Sequence, residues 1–169
     1  MSGGSSPVPR WDLSPIYPSF DSPAYREDRE RLQNQIARLL ERLADPVLPD
    51  TAEGLRALIG IYDEAGNIAE NLSAYAEAVY TADTRDSRAL GEINALEAET
   101  LPLKKAAVLF RGKLAGEKAR VLRLLESETL GPYRFFITES LEKAACQMPP
   151  EQEDLANDLG RSGGDAWGR

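Results

Sequence analysis

An all-α protein is what this sequence predicts: an antiparallel bundle of about five or six helices around one long central helix, preceded by a proline- and aromatic-rich extended arm. Three observations carry that expectation. Between Asp50 and Asp86, Leu55, Leu58, Ile59, Tyr62, Gly66, Ala69, Leu72, Ala76, Val79 and Tyr80 recur in steps of three and four, the period of one helix face. The alternation that a half-buried strand requires is absent there. With 169 residues, 42 % of them hydrophobic, the chain is long enough for one well-filled core, and it has no apolar run of membrane-spanning length.

The first 23 residues read as the arm. Five of the eleven prolines lie here (Pro7, Pro9, Pro15, Pro18 and Pro23), which favours extended or turn backbone. Trp11, Leu13, Ile16, Tyr17 and Phe20 between them are too apolar for a solvated tail, so the arm is expected to lie across the helical body. Pro15-Ile16-Tyr17-Pro18 also has the form of a PxxP ligand, a pattern that chance produces often. Ser22 before Pro23 is a helix start, an N-cap with proline in the first turn. Leu32, Ile36, Leu39, Leu40 and Leu43 then form a stripe opposite Arg26, Glu30, Arg31, Glu41 and Arg42. Asp45-Pro46 ends it, giving a first helix over 23–44, and the short turn to Asp50 sets it antiparallel to the next.

That next helix is the spine, of roughly 30 residues and so about 45 Å long. Asp50 and Glu53 have the spacing of a capping box. Gly60 and Gly66 imply close approach of another helix, or a slight bend, because each costs about 1 kcal/mol against alanine in a helix interior. Five acidic residues against Arg56 alone, between Thr51 and Ala82, make an acidic exterior. It serves either as a solvated face or as an electrostatic docking or substrate surface.

Asp83 to Ser87 reverses the chain. Ala89, Ile93, Leu96, Thr100, Leu103, Ala107, Phe110 and Leu114 follow at steps of three and four, the seam of a hairpin packed on the spine. Pro102 is expected to kink or break it by clashing with the Ala98 carbonyl. Lys104, Lys105, Arg111, Lys113, Lys118, Arg120 and Arg123 gather around the single acid Glu117, a basic face that balances the acidic spine or binds a polyanion. Gly112 and Gly116 weaken the next stretch, and a short helix is expected around Glu117 to Glu126. Gly131-Pro132 starts another, with Tyr133, Phe136, Ile137, Leu141 and Ala144 on one face and Cys146, read as a small apolar residue, at its end. Pro149-Pro150 opens a short acidic helix with Leu155 and Leu159. The organisation expected is an arm over 1–23, a helical lobe over 24–160, and the truncated start of a further helix over 161–169.

Composition limits the chemistry. The chain has no histidine and one cysteine. It therefore offers neither an H-E-x-x-H zinc site nor a Ser-His-Asp triad, and it lacks the thiolates for a metal cage. No Asp-rich calcium loop is visible. No catalytic, cofactor-binding or metal-ligating residue is assigned. The net charge of -8 argues against nucleic acid as a partner, and no membrane partner is expected. A single cysteine and the lack of a basic-then-apolar leader fit the cytoplasm. There Asn71-Leu72-Ser73, in mid-helix, has no meaning as a glycosylation acceptor.

Several of these segments together resemble the N-terminal region of the oligoendopeptidase F family, zinc metallopeptidases related to thimet oligopeptidase. They are Trp11-Asp12-Leu13-Ser14 with Tyr17-Pro18-Ser19-Phe20-Asp21-Ser22-Pro23; Leu72-Ser73-Ala74-Tyr75 running on to Thr81-Ala82-Asp83-Thr84-Arg85-Asp86; Pro132-Tyr133-Arg134-Phe135-Phe136; and Ala166-Trp167. Their order and spacing fit across nearly the whole chain, and the Trp-Asp-Leu to Asp-Ser-Pro arm is the most specific. The resemblance implies an all-helical region walling a deep cleft for short peptides. It also implies a zinc held by H-E-x-x-H and a downstream glutamate in a C-terminal half, which would be this region's partner. The pattern departs near Cys146, where the family has a histidine before the last acidic helix. Two other readings compete: a stand-alone helical adaptor whose groove takes a partner helix, and an anion-binding module built on Lys104 to Arg123.

Overall fold

The computed structural model describes residues 12–167. Trp11 and the rest of residues 1–11, with the part of the arm they were expected to form, lie outside the described residues. Within them the chain forms six α-helices of seven residues or more, one 3-10 helix and a last helical turn, and no strand. These are α1 (Pro23–Ala44), α2 (Ala52–Ala82), α3 (Ser87–Gly116), α4 (Lys118–Leu124), the 3-10 helix Glu128–Tyr133, α5 (Arg134–Ala145), α6 (Pro150–Ser162) and the turn α7 (Gly164–Trp167).

The Ser22 hydroxyl caps α1 by accepting from the Tyr25 amide, as its place before proline predicts. At α2 the cap differs from expectation. Thr51 is the N-cap, accepting from the Gly54 amide at 3.1 Å. The expected box between Asp50 and Glu53 does not form; Glu53 instead accepts from the Thr129 hydroxyl on the 3-10 helix. Gly54 is required where it stands, since a Cβ there would lie 2.7 Å from Pro49 Cβ. Gly60 and Gly66 have open space around the position a Cβ would take, so close helix approach is not what retains them.

α1, α2 and α3 make an up-down-up core. Tyr25 at the start of α1 meets Tyr75 near the end of α2, which sets those helices antiparallel. Arg29 of α1 reaches Glu92 and Glu99 of α3, so α1 and α3 run the same way. Two apolar clusters fill the length. One, at the arm end, collects Tyr17, Phe20, Tyr25, Leu32, Leu72, Tyr75, Ala89 and Leu96 among others. The other collects Leu39, Leu55, Ile59, Phe110, Leu114, Val121, Leu130 and Ile137. Leu103 packs against both.

That double anchorage explains why Pro102 does not break α3. The helix runs unbroken from Ser87 to Gly116 because Ala89, Ile93 and Leu96 are buried before the proline and Ala106, Phe110 and Leu114 after it. Packing on both flanks outweighs one lost hydrogen bond. Ala106, rather than the expected Ala107, occupies the seam. On the spine, Ala65, Ile68 and Tyr75 are buried although the expected stripe omitted them. Gly131 and Pro132 lie inside the 3-10 helix instead of opening α5. Cys146, expected as a small apolar residue, is exposed at the α5 C-cap. Leu40, Leu155 and Leu159 are exposed too.

Candidate functional site

Three constructions shape the surface of the bundle. The first is an aromatic box where the arm returns to the body. Tyr17 and Phe20 are buried against Tyr25 and Tyr75, with four edge-on ring pairs whose centroids lie 5.1–5.3 Å apart. The Tyr17 hydroxyl donates to Asp28 at 2.7 Å, and that of Tyr25 donates to Glu92. Burial and then the neighbouring carboxylates push both phenols upward. Tyr17 is thereby committed to the core, while Pro15, Ile16 and Pro18 of the same stretch are exposed. Outside the box, the Arg29 guanidinium grips Glu99 through Nε and bridges to Glu92 at 3.0 Å. Its hydrogen bond, against the opposing effect of burial, holds the Glu99 carboxyl below the ordinary range.

The second is a latch at the opposite end. The Leu48 amide donates to Glu117 at 2.7 Å, while Arg120 donates to the Pro49 and Leu48 carbonyls at 2.8 Å each and pairs with Glu117. Burial alone would raise the Glu117 carboxyl; the Leu48 amide and Arg120 outweigh it, leaving it lowered. Two residues at the α3–α4 joint thus satisfy the backbone of the α1–α2 loop, which has no secondary structure of its own to do so. Lys113 adds a bond to the Asp45 carbonyl.

The third is a pair of open grooves. One, of about 830 Å³, lies between the end of α1, the loop and the start of α2, where charged Arg42 and Asp45 face apolar Leu58. The other, of about 670 Å³, is mostly apolar and lies between α1, α3 and the α5–α6 connection, with Leu40, Val108, Leu109 and Met148 on its walls.

Of the basic residues singled out in the sequence, Lys105 bridges Asp154 and Asp158 of α6, Lys113 reaches the α1–α2 loop, and Arg120 forms the latch. These three hold elements together, and the sequence had shown only their charge. No group of three or more His, Cys, Asp or Glu side chains able to hold a metal ion occurs among the described residues. The donors present do not fit the zinc that the resemblance implies, since there is no histidine and the one cysteine is exposed by itself. No helix among the described residues is long and apolar enough to cross a membrane.

Fold and surface together define an all-helical bundle whose distinguishing features are grooves and latched loops. Residues 114–169 match the family model described as Oligopeptidase F, which supports an oligoendopeptidase F-family N-terminal region. The matched stretch is about a third of the chain: the last residues of α3, then α4 through α7. No curated protein and no solved structure matches the chain.

Proposed function

We propose that this chain is the N-terminal helical lobe of an oligoendopeptidase F-like zinc metallopeptidase, walling a cleft for short peptides and carrying no catalytic group of its own. The observation that carries the reading is the Oligopeptidase F match over residues 114–169, a stretch that supplies Leu114, Val121, Leu130 and Ile137 to the apolar cluster away from the arm. The other segments of the resemblance add support. Leu72 to Tyr75 lies on α2, where Leu72 and Tyr75 are buried against the arm residues Tyr17 and Phe20. The missing histidine agrees with a division of labour: metal and proton transfer belong to a partner half of the same polypeptide, shape to this one. An unbroken three-helix core anchored at both ends suits a rigid wall that limits access and moves as a unit.

The test is a longer polypeptide expressed from the same reading frame. It should contain H-E-x-x-H, bind zinc and hydrolyse short peptides while sparing folded proteins, and removal of the lobe should relax that size limit. A downstream sequence without H-E-x-x-H, or an enzyme that cleaves folded proteins and peptides alike, would overturn the proposal.

A further inference from the structure

Helices α2, α3 and α5 share one aromatic layer, and two hydrogen-bond donors beside it have no acceptor. Phe110 stacks on Phe136 and on Tyr62 with centroids 6.2 and 6.3 Å apart, and Tyr62 meets Phe136 at 5.9 Å. Arg111, the residue after Phe110, is half-buried. Its Nε is shut off from solvent without an acceptor among the described residues, and its guanidinium enters no ion pair there. A buried donor left unpaired is rare and calls for an explanation. The hydroxyls of Tyr17 and Tyr25 donate to carboxylates. That of Tyr62 makes no hydrogen bond among the described residues, although Arg111 and Lys143 lie near enough to act on it.

The neighbouring charges leave Arg111 without a counter-ion. Asp63 follows Tyr62 on α2, and burial raises its carboxyl with no cation holding it down. Lys143, seven residues and so two turns beyond Phe136 on α5, pairs with Glu139 at 3.0 Å. We propose that Arg111 and the Tyr62 hydroxyl bind the carboxylate of a short peptide, whose adjoining side chain rests on the open parts of Tyr62 and Phe136. The inference rests on the functional reading above and names the part of the substrate that this lobe holds. Three arguments favour that ligand. A guanidinium is a planar fork that matches a carboxylate with two parallel bonds. One unpaired cation with Asp63 and Glu139 beside it suits a single negative charge better than a doubly charged phosphate. Tyr62 and Phe136 are only partly buried, which offers an apolar side chain a surface that an inorganic anion could not use.

The test follows the Arg111 Nε–H signal of the 169-residue chain by heteronuclear NMR, assigned by its loss in Arg111→Gln. Acetyl-alanyl-phenylalanine with a free carboxylate should shift it saturably, and the same peptide amidated should not. Arg111→Gln should weaken binding, followed by the backbone signals of Tyr62 and Phe136, by about tenfold or more, the effect of losing a charge-assisted bond. Tyr62→Phe, which keeps the ring, should weaken it severalfold. Neither change should lower the unfolding temperature, because neither group bonds within the chain; should Arg111→Gln fail to fold, Tyr62→Phe carries the test. Acetyl-aspartyl-phenylalanine amide separates the two sources of the carboxylate: binding it as tightly supports an acidic side chain as ligand, and binding only the free acid supports the peptide terminus. No saturable shift, equal shifts from acid and amide, or acetate and phosphate binding as tightly as the peptide would overturn the site. The two readings fail separately. Carboxylate binding in a longer polypeptide that hydrolyses no peptide sinks the function alone, whereas peptide hydrolysis with an unmoved Arg111 signal sinks the carboxylate site alone.

Discussion

Replacing Arg120 by alanine tests the joint between the family-matched third and the rest of the bundle. The substitution removes two hydrogen bonds to the Leu48 and Pro49 carbonyls and the ion pair with Glu117. Side-chain exposures of 26 % for Arg120 and 21 % for Glu117 leave water some access, so each interaction is discounted from its buried value. At about 1 kcal/mol per interaction, the loss is about 2–3 kcal/mol. For a chain of this size that corresponds to a fall of roughly 5–10 °C in unfolding temperature. Urea and thermal denaturation followed by circular dichroism measure it. Arg120→Lys, which keeps the charge but not the fork, should lose an intermediate amount. Glu117→Gln combined with Arg120→Ala should lose less than the sum of the single changes. A loss below about 0.5 kcal/mol for Arg120→Ala would refute the latch, because that is the ordinary effect of a surface substitution.

The glycines give a prediction of opposite signs. Gly60→Ala and Gly66→Ala should each stabilise by about 0.5–1 kcal/mol, since nothing stands where the methyl would go. Gly54→Ala should destabilise, because Pro49 Cβ lies 2.7 Å from the new atom; chemical denaturation separates the two outcomes. Tyr17→Phe keeps the ring contacts and deletes the bond to Asp28, for a loss of about 1 kcal/mol in the same assay. Acid should weaken the fold through Glu99, whose folded-state carboxyl lies below its unfolded value. Its contribution is therefore complete above the unfolded value near ~4.3 and is lost as pH falls through the lowered one. Unfolding temperature measured from pH 7 to pH 3 should drop at the acid end, and Glu99→Gln should flatten that limb.

Local signals were legible in the sequence wherever they agreed with burial. Ser22-Pro23 and Asp45-Pro46 mark the ends of α1 because capping and proline sterics act within a few residues. The 3.6-residue period exposes the spine because α2 buries a stripe along its whole length. Where tertiary contacts decide, the sequence misleads. Pro102 reads as a break until Phe110 and Leu114 are seen buried beyond it. Asp50 and Thr51 both carry an oxygen able to cap, and in the fold it is Thr51 that accepts from the Gly54 amide. Arg120 looks like one charge in a basic patch, since its partners Leu48 and Pro49 lie some seventy residues away and offer only backbone. The exposed leucines of α6 could not be read at all, because an amphipathic period gives a stripe without saying which way it faces.

The central claim, that this polypeptide contributes shape and leaves metal chemistry to residues elsewhere, is tested most directly by zinc stoichiometry. The purified 169-residue chain, dialysed against micromolar zinc and measured by native mass spectrometry alongside a fluorogenic peptide assay, should carry no stoichiometric zinc and turn over no peptide. One zinc per chain accompanied by peptide cleavage would contradict the account.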